Sequence, residues 1–458
     1  MASPTASATA QATPSPSIVA EPAAPSPFGV AVRGEVADPA VQALLAQAGV
    51  HWVRTSVSWA GIQPAPLIYN WAAFDDLMTT LAASAVIPVV YISGNPDWAA
   101  SSRCGPIDDG ALPDFARFVS ALVQRYDGHT IVNDRTLPEV RYWQFYNEPD
   151  NAWTTGQASG FDGCWGADGA AYAAMLGTAW TAVHAANPRA QVVFGGIAGE
   201  SVDCPATWEC SGQPIFNFDI NNWDFMDDVL EYMQNHPDSP YFDIFDFHYY
   251  PAFHTRWDDY GPGLSGKAEF YRQRLASWGV ERPLMCSEAG RRSDPGQVID
   301  RLPGSDEEQS RYVVRIFAQA MSSRLINVLW FTLADIVEPK QSGAAAWGLL
   351  TQDLQPKPSY TAYRTLSQQL TGMHYKGTTT FKGAEGYVFT GSKGETTVLW
   401  ATSGSVTAGF KGSQVTVVNL YGAETIVSDG SSGDADRKAD GTVTLTVAAN
   451  PMFVRRQP

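Results

Sequence analysis

Positive charge is what this chain has least of. Its 458 residues carry 30 Lys and Arg against 47 Asp and Glu, a formal charge of −17. Nucleic acid and anionic membranes both select cationic surfaces, so neither is an expected partner. Cysteine is scarce as well, at five. No Cys-x-x-Cys and no histidine cluster occurs, which argues against a structural zinc site. No uninterrupted apolar run is long enough to span a bilayer. A Gly-x-Gly-x-x-Gly after the first expected strand is missing, which disfavours a dinucleotide fold. No short internal repeat is visible.

The few cysteines still carry information. Cys204 and Cys210 bracket Pro-Ala-Thr-Trp-Glu in a loop-like segment, a spacing that can close a small disulfide ring. Cys104 and Cys164 lie in other loop-like segments and can pair if the fold brings them together. Cys286 sits in an apolar strand and reads as a buried free thiol. Loop disulfides point to an oxidising compartment. Residues 1–26 are Ala, Ser, Thr and Pro with almost nothing to bury, and are expected to be a disordered linker. They lack the charged and hydrophobic regions of a signal peptide. A linker of this kind commonly follows a cleaved signal or an anchor. The expectation is a secreted or surface-attached protein whose signal or anchor lies outside this sequence.

Aromatic residues are plentiful, with 15 Trp, 18 Tyr and 21 Phe. Most belong to cores and interfaces. Exposed ones suit the apolar faces of sugar rings, which mildly favours a carbohydrate ligand.

From Phe28 the pattern alternates. Strands are expected at Phe28–Val32, His51–Val57, Val86–Ile92, Val140–Tyr146, Gln191–Ile197, Phe242–His248, Pro283–Glu288 and Ile326–Leu333. Helices follow them at Pro39–Ala48, Trp71–Ser84, Leu112–Tyr126, Ala170–Ala186, Trp223–Gln234, Lys267–Trp278, Ser305–Ser323 and Tyr360–Leu370. Eight strand signals, each followed by a helix, predict a (β/α)8 TIM barrel over residues 27–372. After Met373 short β-prone runs take over, at Thr378–Phe381, Gly386–Thr390, Thr396–Ala401, Gln414–Val418 and Thr442–Val447. They predict a small all-β, sandwich-like domain over residues 373–458. Such a domain either covers one side of the barrel or binds carbohydrate; its few aromatics favour the former.

In a barrel of this kind the C-terminal strand tips face one pocket. The fourth strand, Val140-Arg141-Tyr142-Trp143-Gln144-Phe145-Tyr146, ends abruptly in Asn147-Glu148-Pro149, because proline cannot donate to the ladder. A carboxylate is left at the tip. The seventh strand ends in Ser287-Glu288-Ala289-Gly290, a second carboxylate facing the same pocket. Two carboxylates across a pocket suit glycoside hydrolysis, in which one protonates the leaving oxygen and the other attacks the anomeric carbon. Other tips offer Arg54, Asn95, Asn147, Asp246, His248, Tyr250 and Trp330, with Trp98, Trp59 and Trp153 as weaker candidates. Nothing in the constellation suggests a metal, nicotinamide or phosphate site, so no cofactor is expected.

These residues resemble clan A glycoside hydrolases, TIM-barrel enzymes that retain anomeric configuration. Asn147-Glu148 matches the clan's acid/base site and Glu288 its strand-seven nucleophile. Arg54 matches its strand-two arginine, His248 and Tyr250 its strand-six His-x-Tyr, and Trp330 its strand-eight tryptophan. Trp52-Val53-Arg54, Trp59-Ala60-Gly61-Ile62-Gln63-Pro64 and Tyr69-Asn70-Trp71 are similar to family 39. That family includes β-xylosidases, α-L-iduronidases and exopolysaccharide-cleaving enzymes, often with a β-domain after the barrel. The resemblance spans roughly residues 28–455. It implies a polysaccharide or oligosaccharide substrate held by Arg54, Asn147, His248, Tyr250 and Trp330, to which the strand-three tip adds Asn95 and Trp98 by position. Many clan A families carry histidine where this chain has Asn95. The alternatives are a catalytically silent carbohydrate-binding barrel, which has no need of both glutamates, and a transglycosylase, which would share every residue.

Overall fold

The computed structural model describes residues 26–150, 165, 168–198, 225–250, 257–294, 304–337, 344–379 and 381–456. Cys164, Cys204, Cys210, Trp153 and residues 1–25 lie outside them.

Eight parallel strands form one sheet: β1 Phe28–Ala31, β2 Trp52–Ser58, β3 Ile87–Ser93, β4 Tyr142–Phe145, β5 Gln191–Val193, β6 Phe245–Tyr249, β7 Leu284–Ala289 and β8 Val328–Trp330. The order is 5-4-3-2-1-8-7-6. Parallel bridges Val193↔Ile244 and Ile197↔Phe247 join the two edge strands, and the sheet becomes a barrel. A helix follows each strand: α1 Pro39–Ala48, α2 Ala72–Ala83, α3 Leu112–Arg125, α4 Gly169–Ala186, α5 Phe225–Asn235, α6 Gly263–Ser277, α7 Asp306–Ser322 and α8 Pro358–Leu370. The fold is a TIM barrel, as the alternation predicts.

Local chemistry sets the helix ends. In α1 the Asp38 carboxylate accepts from Ala40 N at 2.8 Å, Pro39 opens the first turn, and Gly49 closes it at φ +70°. Asp168 caps α4 in the same way, accepting from Ala171 N.

Side chains alternate across the barrel wall. Trp52, Val89, Tyr142, Val193, Ile244, Met285 and Leu329 fill its interior as one apolar layer. The alternate residues face outward and join the helices in a larger core. Two residues further along five of these strands the inward set turns polar, with Arg54, Tyr91, Gln144, Asp246 and Ser287. Above them on β2, Ser56 and Ser58 are exposed to solvent.

The C-terminal region is an antiparallel all-β unit. Strands β9 Met373–Thr378, β10 Ala384–Gly391, β11 Gly394–Ala401, β12 Val406–Lys411, β13 Gln414–Val418, β14 Glu424–Ser428, β15 Thr442–Val447 and β16 Met452–Arg456 make two sheets. One has the order 9-10-11-16-13-14, and β12 pairs with β15 in the other. Leu399 and Ala401 face the second sheet, where Phe410, Val443 and Leu445 complete an inner core. Val398 and Trp400, on the opposite face of the same strand, pack into the barrel's outer core with Phe389 and Phe453. From α7, Arg315 reaches Ala449 O at 2.8 Å and Gln319 reaches Glu385 at 3.0 Å. The unit therefore covers one side of the barrel, over the α7 wall. The expected first strand, Thr378–Phe381, is displaced: the strand is Met373–Thr378, and it pairs with β10 across a register shift at Tyr375/Gly377. Three further strands, β12, β14 and β16, carry enough polar residues or turns to have escaped the pattern.

Candidate active site

Four strands converge on one hydrogen-bonded cluster. On β2, Arg54 is 3% exposed and uses all arms of its fork. Nε donates to Gln144 Oε1 at 2.8 Å, Nη1 to Glu288 Oε1 at 2.5 Å and Nη2 to Asn147 Oδ1 at 2.6 Å. Its guanidinium also lies 4.3 Å from the centre of the Tyr91 ring. Such a planar fork fixes several acceptors at once, which a lysine cannot do.

Glu288 owes its aim to a β-bulge. β6 pairs Phe247 with Cys286 but His248 with Glu288, and β8 pairs Val328 with Cys286 but Trp330 with Ala289. One extra residue in β7 thus turns both Ser287 and Glu288 toward the barrel interior. The Cys286 thiol donates to Glu288 O at 3.2 Å across the bulge. The Glu288 carboxylate accepts from Arg54 on one oxygen and from Tyr250 Oη, at 2.5 Å, on the other. Burial by itself would raise its pKa. The His248 and Arg54 charges and the Tyr250 hydroxyl outweigh that and hold it below the ordinary glutamate value. This carboxylate is built to stay ionised.

Glu148 sits at the β4 tip with φ +46°, two residues after Tyr146 at φ +63°. Side chains other than glycine rarely adopt that region, and each such residue costs about 1–3 kcal/mol. Neighbours hold the strained turn in place. Glu148 N donates to Gly196 O at 3.0 Å, and Ala198 N donates to Asp150 Oδ1 at 3.0 Å. Gly196 needs to be glycine, because a Cβ there would land on the His248 ring. With that space open, His248 Nδ1 lies 2.9 Å from Glu148 Oε1 and 3.6 Å from Glu288 Oε2. Burial lowers the His248 pKa, but the two carboxylates beside it prevail and raise it.

The two glutamates differ in environment. The Glu148 side chain is 18% exposed and that of Glu288 9%. Oxygens of the two carboxylates and His248 Nδ1 all lie within 4.8 Å of one another. The same trio has the donors of a metal site, yet the set does not fit one. Both Glu288 oxygens already accept, and the buried Arg54 guanidinium brings its positive charge against them.

Arg54, Asn147, Glu148, His248, Tyr250 and Glu288 are therefore brought together. Trp98 is half-buried and packs edge-on against the fully buried Trp59 at 5.5 Å. Asn95 is 1% exposed and engaged at both ends of its amide, accepting from Tyr146 Oη and donating to Ser102 O at 3.0 Å. It braces the β4 tip from behind. Trp330 needs correction as a sugar platform. It is fully buried, donates to Trp347 O at 3.0 Å and packs on Tyr312 of α7. Leu329 faces inward, so its neighbour must face the helices, and the next inward position is Phe331. Phe331 lies 6.3 Å from Tyr250, ring to ring. Trp347, which the sequence reading missed, is half-buried and lies 5.3 Å from Tyr250 and 5.9 Å from Phe331. It comes from the segment after β8, where no strand periodicity marks it.

No family model matches the sequence, and no curated protein matches it. Solved structures do. A family 39 glycoside hydrolase from the gut symbiont Bacteroides cellulosilyticus WH2 superposes with a TM-score of 0.68 at 17% identity, covering 94% of this chain and 81% of that one. A glucosidase from Croceicoccus marinus gives 0.63 at 13% identity, covering 95% and 97%. A GH30 endoxylanase from Clostridium papyrosolvens C71 gives 0.57 at 13% identity, covering 94% and 96%. At such identities the likeness establishes a shared fold, and its bearers here are a family 39 glycoside hydrolase, a glucosidase and a GH30 endoxylanase.

Proposed function

We propose that this chain is a glycoside hydrolase that cleaves a polysaccharide or oligosaccharide with retention of configuration. The observation that carries the reading is the carboxylate pair, one oxygen of each within 4.8 Å. Retaining enzymes hold their carboxyl groups about 5–5.5 Å apart, inverting ones about 6.5–9.5 Å. The close approach of Glu148 and Glu288 supports the retaining arrangement over one with a water held between them.

In the first step a Glu288 oxygen attacks the anomeric carbon, the bond to the leaving oxygen breaks, and Glu148 gives that oxygen its proton. In the second, ionised Glu148 takes a proton from water, the water oxygen bonds to the same carbon, and Glu288 leaves. Arg54 and Tyr250 keep Glu288 anionic and aimed. Asn147 Oδ1 is held by Arg54, which leaves the amide nitrogen for the sugar 2-hydroxyl. Trp347 and Phe331 offer apolar surface beside Tyr250 for the sugar ring. Secretion or surface attachment is part of the proposal, supported by Cys104, which is disulfide-bonded. The test is a panel of aryl glycosides and polysaccharides, comparing wild type with Glu148→Gln. The reading expects hydrolysis of at least one substrate by the wild type and its loss on unactivated substrates in the variant. A wild type that binds sugar without cleaving any would overturn it.

A further inference from the structure

Beneath the two glutamates the barrel holds four polar side chains with 0% exposure, Gln144, Asp246, His248 and Ser287. So dense a buried polar group is stable only when its members satisfy one another. Asp246, on β6, is where their bonds meet. Its Oδ2 accepts from Gln144 Nε2, and its Oδ1 accepts from the backbone N–H of Ser287 at 2.8 Å. From Gln144, Oε1 accepts from Arg54 Nε at 2.8 Å, and Arg54 goes on to Glu288. From Ser287, the hydroxyl lies 3.3 Å from His248 Nε2, and the other face of that ring meets Glu148 at 2.9 Å. Two chains thus leave one carboxylate and end on the two glutamates.

We propose that Asp246 is a positioning residue that sets the geometry of both glutamates without contacting sugar. The proposal rests on the glycosidase reading. A carboxylate only accepts, so Gln144 must present its NH₂ to Asp246 and its oxygen to Arg54. That orientation is what keeps the guanidinium fork turned toward Glu288 and Asn147. The second Asp246 oxygen pins the N–H of Ser287, the residue where the bulge redirects β7, and so fixes the direction of Glu288. Burial pushes the Asp246 carboxyl up to about 6, while His248, Ser287 and Arg54 pull against it. A charge this unfavourably placed is retained where a neutral amide could not hold the same arrangement.

The replacement Asp246→Asn makes the logic explicit. With its oxygen claimed by Ser287 N–H, the new amide turns its NH₂ toward Gln144. Gln144 must then flip, and its own NH₂ faces Arg54, donor against donor. The double exchange Asp246→Asn with Gln144→Glu restores the bonds along the Arg54–144–246 path and conserves charge, because the new glutamate accepts from both Arg54 and the new asparagine. It gives up only the 3.3 Å bond from residue 144 to Phe194 O. Kinetics on an activated aryl glycoside and melting temperatures are measured for wild type, both single variants and the double variant. Asp246→Asn is expected to lose about 100-fold in kcat with KM within about threefold, and the double variant to recover at least about tenfold. Gln144→Glu alone sets two buried carboxylates together and should melt lower than the double variant. An Asp246→Asn protein with wild-type kcat overturns the proposal, as does a folded double variant no faster than Asp246→Asn. If the wild type cleaves no glycoside, the glycosidase reading is what fails. The melting temperatures then judge the relay without substrate: coupled losses at 144 and 246 sustain it, additive losses overturn it.

Discussion

Arg54→Met isolates the guanidinium that holds Glu288, Gln144 and Asn147 at once. Methionine keeps most of the length and apolar volume but removes three side-chain hydrogen bonds, to Gln144, Glu288 and Asn147. Glu288 would then be buried without its closest cation. Deleting one partner of a buried ion pair costs about 3–5 kcal/mol, a large share of the roughly 5–15 kcal/mol that keeps a typical domain folded. The pH dependence has a definite sign. In the wild type, burial opposes ionisation of Glu288, but His248 and Arg54 hold its pKa below the ordinary value. Its contribution to stability is therefore present above the unfolded-state pKa and is lost as pH falls through the lower folded one. Without Arg54, burial gains ground and the folded pKa rises, so the variant's deficit relative to wild type should shrink on acidification. Urea unfolding followed by tryptophan fluorescence, at about pH 7 and about pH 4.5, measures both quantities. The acid limb of kcat/KM should move to higher pH in parallel. A variant as stable as wild type at neutral pH, or a deficit that stays constant with pH, would refute the reasoning.

Further consequences follow from burial. Trp330→Ala should cost about 3–5 kcal/mol of stability, because the ring is fully enclosed. Trp347→Ala should leave the melting temperature nearly unchanged and lower kcat/KM by about tenfold. The opposite pattern would return Trp330 to the sugar. Cys286 is a free, buried cysteine whose thiol burial pushes well above its usual pKa. It should resist thiol reagents in the native protein and react once the chain unfolds. If Cys204 and Cys210 close the ring their spacing allows, the denatured, unreduced chain should show one reactive thiol; three would break that pairing.

Much of the barrel is readable before any coordinates. Helix α1 announces itself through Asp38, Pro39 and Gly49, and the structure ends it at the expected residues. Strand ends are less legible. Parallel strands buried on both faces have no polar alternation to mark where pairing stops, so β4 proves shorter than its apolar run. The glutamates stand out because proline and glycine punctuate the strand tips. Trp330 misleads for a different reason. A tryptophan one position out of register looks equally apt in sequence, and only the inward placement of Leu329 shows that it faces the helices. The bulge at Ser287 is likewise silent, since its extra residue is visible only against the neighbouring strands. Trp347 and the Asp246–Gln144 contact join positions far apart in the chain, and no local pattern links them.

The division of labour between Glu148 and Glu288 is tested most directly by azide rescue of their alanine variants on a dinitrophenyl glycoside. That leaving group needs no proton, so Glu148→Ala should complete the first step and stall at the second. Azide needs no base, and should restore turnover with a glycosyl azide of retained configuration. Glu288→Ala cannot form the covalent intermediate, and azide entering the vacated face should give the inverted product. Proton NMR of the two azides reads the outcome. Retention from the first variant and inversion from the second is the predicted result. The reverse stereochemistry would exchange the two roles, and wild-type rates in both variants without azide would contradict the assignment altogether.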